Sequence, residues 1–302
     1  MTDLILARTA VTESARTRLA HAAAAGDLVR VVRGAYVESS TWLLLDAASR
    51  FRMTVRAVAV TAREPLIFCR AAAAVLWDLP WLGPWPQRVD VLVPRDSPLR
   101  SSKTVRRHRE YASEIDVIDG LRVTSLARTA IDVARESDFA RAVVVGDAAR
   151  ARHADLFVEA GRVPMRHGSA RARAVATFAD GRAASPGESV SRVTMHALGV
   201  PAPVLQQEFP RSDGGVWAVD FWWPDAGVIG EFDGDVKYLE PAFGRGRPAR
   251  ELVIAEKRRE DELRRMSRGF ARWDWRVARS PRLLGERLAI AGLLPTRQRA
   301  ML

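Results

Sequence analysis

The stretch Val216 to Tyr238, VWAVDFWWPDAGVIGEFDGDVKY, constrains the chain most. Two apolar runs flank Pro224-Asp225-Ala226-Gly227, in which proline pre-sets φ and glycine offers a left-handed position, so the stretch predicts a β-hairpin. If Trp223 pairs with Val228, then Phe221 lies opposite Gly230, Asp220 opposite Glu231 and Val219 opposite Phe232. Strand side chains alternate faces. The expected result is an apolar face of Val219, Phe221, Trp223 and Phe232 and a polar face holding Asp220, Glu231 and Asp233. Three carboxylates that close repel unless some hold protons or a cation sits among them, and oxygen-only donors suit a hard divalent ion.

Charge narrows the partners. The 302 residues carry 47 Lys and Arg against 36 Asp and Glu, a formal net charge of +11, and nearly all the cations are arginine. Arginine's planar fork suits phosphate, so nucleic acid is the leading partner class, against the plainer reading of a solvated basic surface. The single cysteine, Cys69, excludes an internal disulfide and suits a reducing compartment. With no apolar run approaching the ~20 residues of a membrane span, a soluble, cytoplasmic protein without a membrane partner is expected.

Three regions are expected: residues 1–40, 41–180 and 181–302. In the first, Leu4–Ala10 and Thr12–Ala25 have helical patterns, and Leu28–Val32 and Ala35–Val37 read as strands about an Arg33-Gly34 turn. Helix, helix, basic hairpin is the outline of a winged helix-turn-helix, whose DNA contacts would be Arg16, Arg18, Arg30 and Arg33. Small units of this kind also serve as protein-interaction modules. The run GDLVRVVRGAYV resembles the N-terminal winged helix of AbiEi-type antitoxins over about the first forty residues. That resemblance implies DNA binding, at a promoter; it does not establish a toxin protein as partner, which stays one candidate beside DNA.

The middle region reads as an α/β scaffold. It predicts an amphipathic helix over Leu43–Arg63, a short strand at Leu66–Phe68, a helix at Arg70–Leu79, and strands at Val89–Pro94, Lys103–Arg109 and Val117–Val123. Helices follow at Ser125–Arg135, Phe139–Arg152 and Arg171–Phe178. Arg106, Arg107, His108 and Arg109 suit either a phosphate backbone or a charge-protected edge strand. The region carries no metal-ligand spacing, glycine-rich phosphate loop or nucleophile motif.

In the last region, Ser185, Pro186 and Glu188 mark a capped helix start. A strand at Val204–Phe209, the hairpin, a charged helix over Arg250–Ser267, a strand over Phe270–Ala278 and a helix at Pro281–Leu293 complete it. This αβββαβ order, with Asp220-Phe221 and Glu231-Phe232-Asp233-Gly234, resembles the PD-(D/E)xK, or restriction-endonuclease-like, superfamily over Ser185–Ala278. The nearer likeness is to domains related to very-short-patch-repair endonucleases. It implies Mg2+ or Mn2+ held by Asp220, Glu231 and Asp233, Glu188 reaching the metal through water, and Lys257 bordering the substrate groove. Asp233 stands where the pattern wants lysine, and Lys237 is the expected substitute. Two readings therefore stand: a metal-dependent DNA endonuclease, or a non-catalytic antitoxin-type regulator whose nuclease fold is a binding module.

Overall fold

The computed structural model describes residues 4–9, 12–163, 167–234 and 249–293. The chain is a mixed α/β protein that separates into two compact units, residues 1–149 with 153–178, and 150–152 with 179–302. Among the described residues no helix is long and apolar enough to cross a membrane.

The first unit opens with β1 (Ile5–Leu6), a single 3-10 turn at Ala7–Thr9, α1 (Glu13–Ala25), β2 (Leu28–Val32) and β3 (Ala35–Glu38). The expected helix at Leu4–Ala10 is thus replaced by a two-residue strand and a turn. Its backbone pairs with β3, Ile5 opposite Tyr36, so a sheet edge overrides local helix propensity. The β2–β3 hairpin turns at Arg33-Gly34, where Gly34 takes φ 88°, and the small sheet has the order β1-β3-β2. The amphipathic pattern at 43–63 resolves into α2 (Ser39–Leu44) and α3 (Ala47–Thr61), because Asp46 caps a new helix by accepting from the Ser49 amide at 2.7 Å.

A five-stranded sheet follows. Its strands are β4 (Ile67–Phe68), β5 (Val89–Val93), β6 (Val105–Arg109), β7 (Ile115–Ile118) and β8 (Leu121–Thr124), in the order β6-β5-β4-β8-β7. The single strand expected at 117–123 is two, reversed at Asp119-Gly120 with φ 50° and 78°, a turn chemistry that suits a tight hairpin. Helices α4 (Arg70–Leu76), α5 (Leu126–Glu136), α6 (Phe139–Ala151), α7 (Leu156–Arg162) and α8 (Ser169–Phe178) complete the unit. Its core joins Phe51 and Val55 of α3, Val75 of α4, and Val89 and Val91 of β5. Beside that core lies a buried ion network in which Arg70 meets Glu110 and Glu136, while Arg128 and Arg135 share Glu110 and Asp132. Three surrounding guanidiniums hold the Glu110 carboxyl at about 2 against the burial that would raise it.

The second unit runs α9 (Pro186–Ala197), β9 (Val204–Pro210), β10 (Val216–Trp223), β11 (Val228–Phe232), α10 (Ala249–Met266), β12 (Gly269–Trp273), α11 (Trp275–Ala278) and α12 (Pro281–Ile290). The sheet order is β12-β11-β10-β9, with β9, β10 and β11 antiparallel and β12 parallel to β11. That parallel step requires a crossover, and α10 supplies it. The strand expected to reach Ala278 stops at Trp273, since Asp274 accepts from the Val277 amide at 2.9 Å and starts α11. Helix α9 closes on one face, where the α-carbon of Gly187 meets the Phe232 ring so tightly that an added Cβ would sit 2.0 Å from it. Trp273 Nε1 donates to Ser191 Oγ of α9 at 2.8 Å. Helix α10 covers the other face, its Leu263 packing on Val219 and Ile229.

Candidate functional site

The hairpin register is as its sequence predicts, with Trp223 opposite Val228 and Phe221 opposite Gly230. The division of faces is not. Val219 packs with Ile229 and Leu263 on the α10 side, whereas Phe221 stacks on Trp273 at 5.3 Å and on Trp223 at 6.2 Å. Alternation therefore breaks between Val219 and Phe221. The neighbouring strand breaks at the same level, because Gln206 takes φ 52° between the β9–β10 pairs Gln207–Val219 and Leu205–Phe221. A left-handed glutamine inside a strand is costly, and such outliers persist only where surrounding contacts hold them.

The break sends Asp220 toward α9. Asp220 Oδ2 accepts from the Phe232 amide at 2.7 Å, and Oδ1 lies 3.4 Å from Gln206 Nε2. The same Gln206 nitrogen donates to Glu188 Oε2 at 3.0 Å, so one amide spans both carboxylates. Glu188 is held by the start of its own helix. Ser185 accepts from the Glu188 amide at 3.2 Å and donates its hydroxyl to Oε1 at 2.8 Å, and the Ala184 amide donates to Oε2 at 2.9 Å. Glu188 is thus both the N-cap partner of Ser185 and the companion of Asp220. It is 4% exposed, and burial together with the Asp220 charge pushes its carboxyl up to about 7 despite those donors.

Glu231 goes the other way. Its carboxylate is 5% exposed and is gripped by Arg259 of α10 through both guanidinium nitrogens, with Nη1 at 3.0 Å from Oε2, and by Arg272 of β12 at 2.7 Å. Arg272 also meets Glu256 at 2.6 Å, and Arg259 donates to the Ala218 carbonyl at 3.0 Å. Burial opposes the charge on both arginines, yet their bonds to Glu231 raise them above the ordinary guanidinium value. The expected trio of Asp220, Glu231 and Asp233 is therefore not brought together: the reversed face and two guanidiniums commit Glu231 elsewhere. Asp233 is half-buried at the end of β11, its amide donating to the Trp273 carbonyl at 2.8 Å.

Among the described residues, no group of three or more His, Cys, Asp or Glu is arranged to hold a metal. A Mg2+ ion, however, commonly uses one or two carboxylates and takes its other ligands from water and substrate phosphate. Glu188, buried, and Asp220, half-buried, fit that donor set in offering carboxylate oxygens alone. Glu231, already neutralised by two arginines, does not fit.

Lys237 lies outside the described residues, and Lys257 is exposed on α10. Arg18 on α1, Arg30 on β2 and Arg33 at the hairpin turn are exposed and make no ion pair among the described residues; Arg16 lies on α1 with its side chain outside them. Sequence reasoning missed Gln206 and the clamping role of Arg259 and Arg272. Only the alternation of β9 bears on Gln206, and that alternation is what the structure breaks.

No protein-family model matches the chain. It is 33% identical over 139 residues to two uncharacterized proteins of Mycobacterium tuberculosis, one from strain H37Rv and one from strain CDC 1551, a match covering 45% of this chain and 51% of each relative. The chain thus spans about half the length of the curated relatives it matches.

Proposed function

We propose that the chain binds DNA and that its second unit is a metal-dependent phosphodiesterase of the restriction-endonuclease-like type, with Glu188 and Asp220 as its acid pair. The observation that carries this reading is the convergence of buried Glu188 and half-buried Asp220 on one strained glutamine, with Glu188 raised to about 7. Two carboxylates this close, one of them buried, favour a proton or a cation between them. The αβββαβ frame and the position of Asp220 on β10 agree with the PD-(D/E)xK likeness.

In this reading Asp220 and Glu188 would be the carboxylates that hold Mg2+ or Mn2+. The ion supplies charge neutralisation for the scissile phosphate and acidifies a bound water. The Phe232 amide and Gln206 fix the Asp220 carboxylate, and Ser185, Ala184 and Gln206 fix that of Glu188, so both are oriented before substrate arrives. Glu188, its carboxyl raised to about 7, would hold a proton near neutral pH and would release it where a cation took its place. Lys237 remains the proposed cation at the reacting phosphate. Exposed Arg18, Arg30 and Arg33 suit backbone phosphates, and a salt-steep DNA affinity would follow from them.

The test is nicking of supercoiled plasmid with Mg2+ or Mn2+. Asp220→Asn and Glu188→Gln are each expected to lower the rate by at least about 100-fold, the scale of losing preorganised charge stabilisation. Equal nicking by wild type and both variants would remove the acid pair from the mechanism.

A second reading rests on Glu231. The acid that the nuclease pattern assigns to the metal is instead paired with Arg259 and Arg272. A non-catalytic regulator of the antitoxin type, with a toxin protein as partner, has no need of that acid at a metal. Retained DNA binding with no metal-dependent cleavage on any plasmid selects this reading.

A further inference from the structure

A basic cleft in the first unit has no part in the site described above. Strands β5 and β6 are parallel, with Val89 opposite Val105 and the Val89 amide donating to the Thr104 carbonyl at 2.8 Å. Parallel pairing sets the entry ends of two strands side by side, so Arg88, just before β5, and Lys103, just before β6, arrive at the same end. The register also places Asp90 opposite Arg106. Together with Pro86 and Gln87, these four residues line a cleft of about 600 Å3.

The charges around it are not those of an internally balanced surface. Arg88 and Lys103 are exposed and make no ion pair or hydrogen bond among the described residues. Arg106 has one partner, Glu136 at 3.4 Å, and its side chain stays 46% exposed. Beneath these cations lies Asp90, 5% exposed, with one carboxylate oxygen 2.7 Å from Nε2 of His108, itself buried. A buried histidine fixes the acid in place, as a preorganised acceptor requires. Three cations against one carboxylate leave a net positive charge that draws an anion, and the fixed acceptor favours one that also brings a donor. A volume of this size is in the range of small-molecule sites.

We infer that this cleft binds a nucleotide-sized phosphate monoester, its phosphate held by Arg88, Lys103 and Arg106 and a hydroxyl or amino group donating to Asp90. The first unit would then read a soluble phosphorylated ligand, separately from any duplex held by the hairpin arginines.

Calorimetric titration of the full chain with the four common ribonucleoside 5′-monophosphates, the matching nucleosides and inorganic phosphate tests this. At least one monophosphate should bind saturably, and its nucleoside and inorganic phosphate should each bind at least about tenfold more weakly, since each lacks one of the two contacts. Arg88→Ala and Lys103→Ala, both at exposed positions that leave the thermal midpoint unmoved, should each raise the Kd of that monophosphate about tenfold, the value of one charge-assisted bond. Duplex DNA affinity should be unchanged in both variants. Absence of saturable binding by every monophosphate, or affinities indifferent to both substitutions, overturns the proposal. If the same substitutions instead weaken duplex DNA, the cleft is a backbone-docking surface and the proposal also falls.

Discussion

Glu188 and Glu231 occupy opposite faces of one four-stranded sheet and are almost equally buried, at 4% and 5% exposure, yet their surroundings differ in kind. Glu231 sits between two guanidiniums and has no need of anything from solvent. Glu188 has three neutral donors and a second carboxylate for company, and its proton affinity rises accordingly. Burial is thus uninformative by itself; what separates the two acids is that guanidiniums surround one, while neutral donors and a carboxylate surround the other. The first face is electrically closed. On the second, burial and the Asp220 charge raise the Glu188 carboxyl to about 7.

The largest effect should come from opening the closed face. Glu231→Ala leaves Arg259 and Arg272 facing each other with Glu256 as their shared partner, and should lower unfolding stability by about 3 kcal/mol, the lower end of the scale for breaking a buried pair because both guanidiniums are partly exposed. Urea denaturation followed by tryptophan fluorescence measures it. A loss below about 1 kcal/mol, within the range of an exposed ion pair, would mean that the clamp does not carry this face.

Next in size is the pH response of the open face. The Glu188 carboxyl rises from its ordinary 4.5 to about 7 in the folded chain, so between those values the folded state holds a proton that the unfolded state has released. Stability must therefore fall as pH rises through that window. The expected loss between pH 4.5 and 7.5 is on the order of 2 kcal/mol, less than the full shift implies because the titration belongs to the Glu188–Asp220 pair. Glu188→Gln should abolish this component, and the difference between variant and wild type isolates it from groups such as Glu110, whose lowered value acts with the opposite sign at more acid pH. Millimolar Mg2+ should restore the wild-type stability at pH 7.5 and leave the variant unmoved. A Mg2+ response equal in both would place the ion elsewhere.

The hairpin register, the αβββαβ order and the cap at Ser185 were legible because each depends on local chemistry: a Pro-Asp-Ala-Gly turn, alternating apolar runs, a serine three residues before a glutamate. The faces were not legible, because alternation was extended through Asp220. What interrupts it is a left-handed Gln206 on another strand, and glutamine gives no sign of that conformation. The fate of Glu231 depends on Arg259 and Arg272, 28 and 41 residues away, brought to it by the α10 crossover. Asp119-Gly120 is a different kind of miss, since that dipeptide is itself a hairpin signal and lay inside a run read as one strand.

The smallest effect probes the hinge between the two faces. Gln206 supplies an amide to both carboxylates and takes an unfavourable φ to do so, and the two roles separate by substitution. Glycine at 206 loses the amide and relieves the backbone, whereas alanine loses the amide and keeps the strain. Gln206→Gly should therefore be more stable than Gln206→Ala by ~1 kcal/mol, the ordinary cost of a left-handed residue with a Cβ. Both should lose stability more steeply than wild type as pH rises from 5 to 7.5, because the paired carboxylates keep their repulsion and lose the donor between them. Equal stabilities for the two variants would mean that β9 relaxes to ordinary strand geometry once the amide is gone. The break that turns Asp220 away from Glu231 would then be held by the Gln206 side chain rather than by the strand.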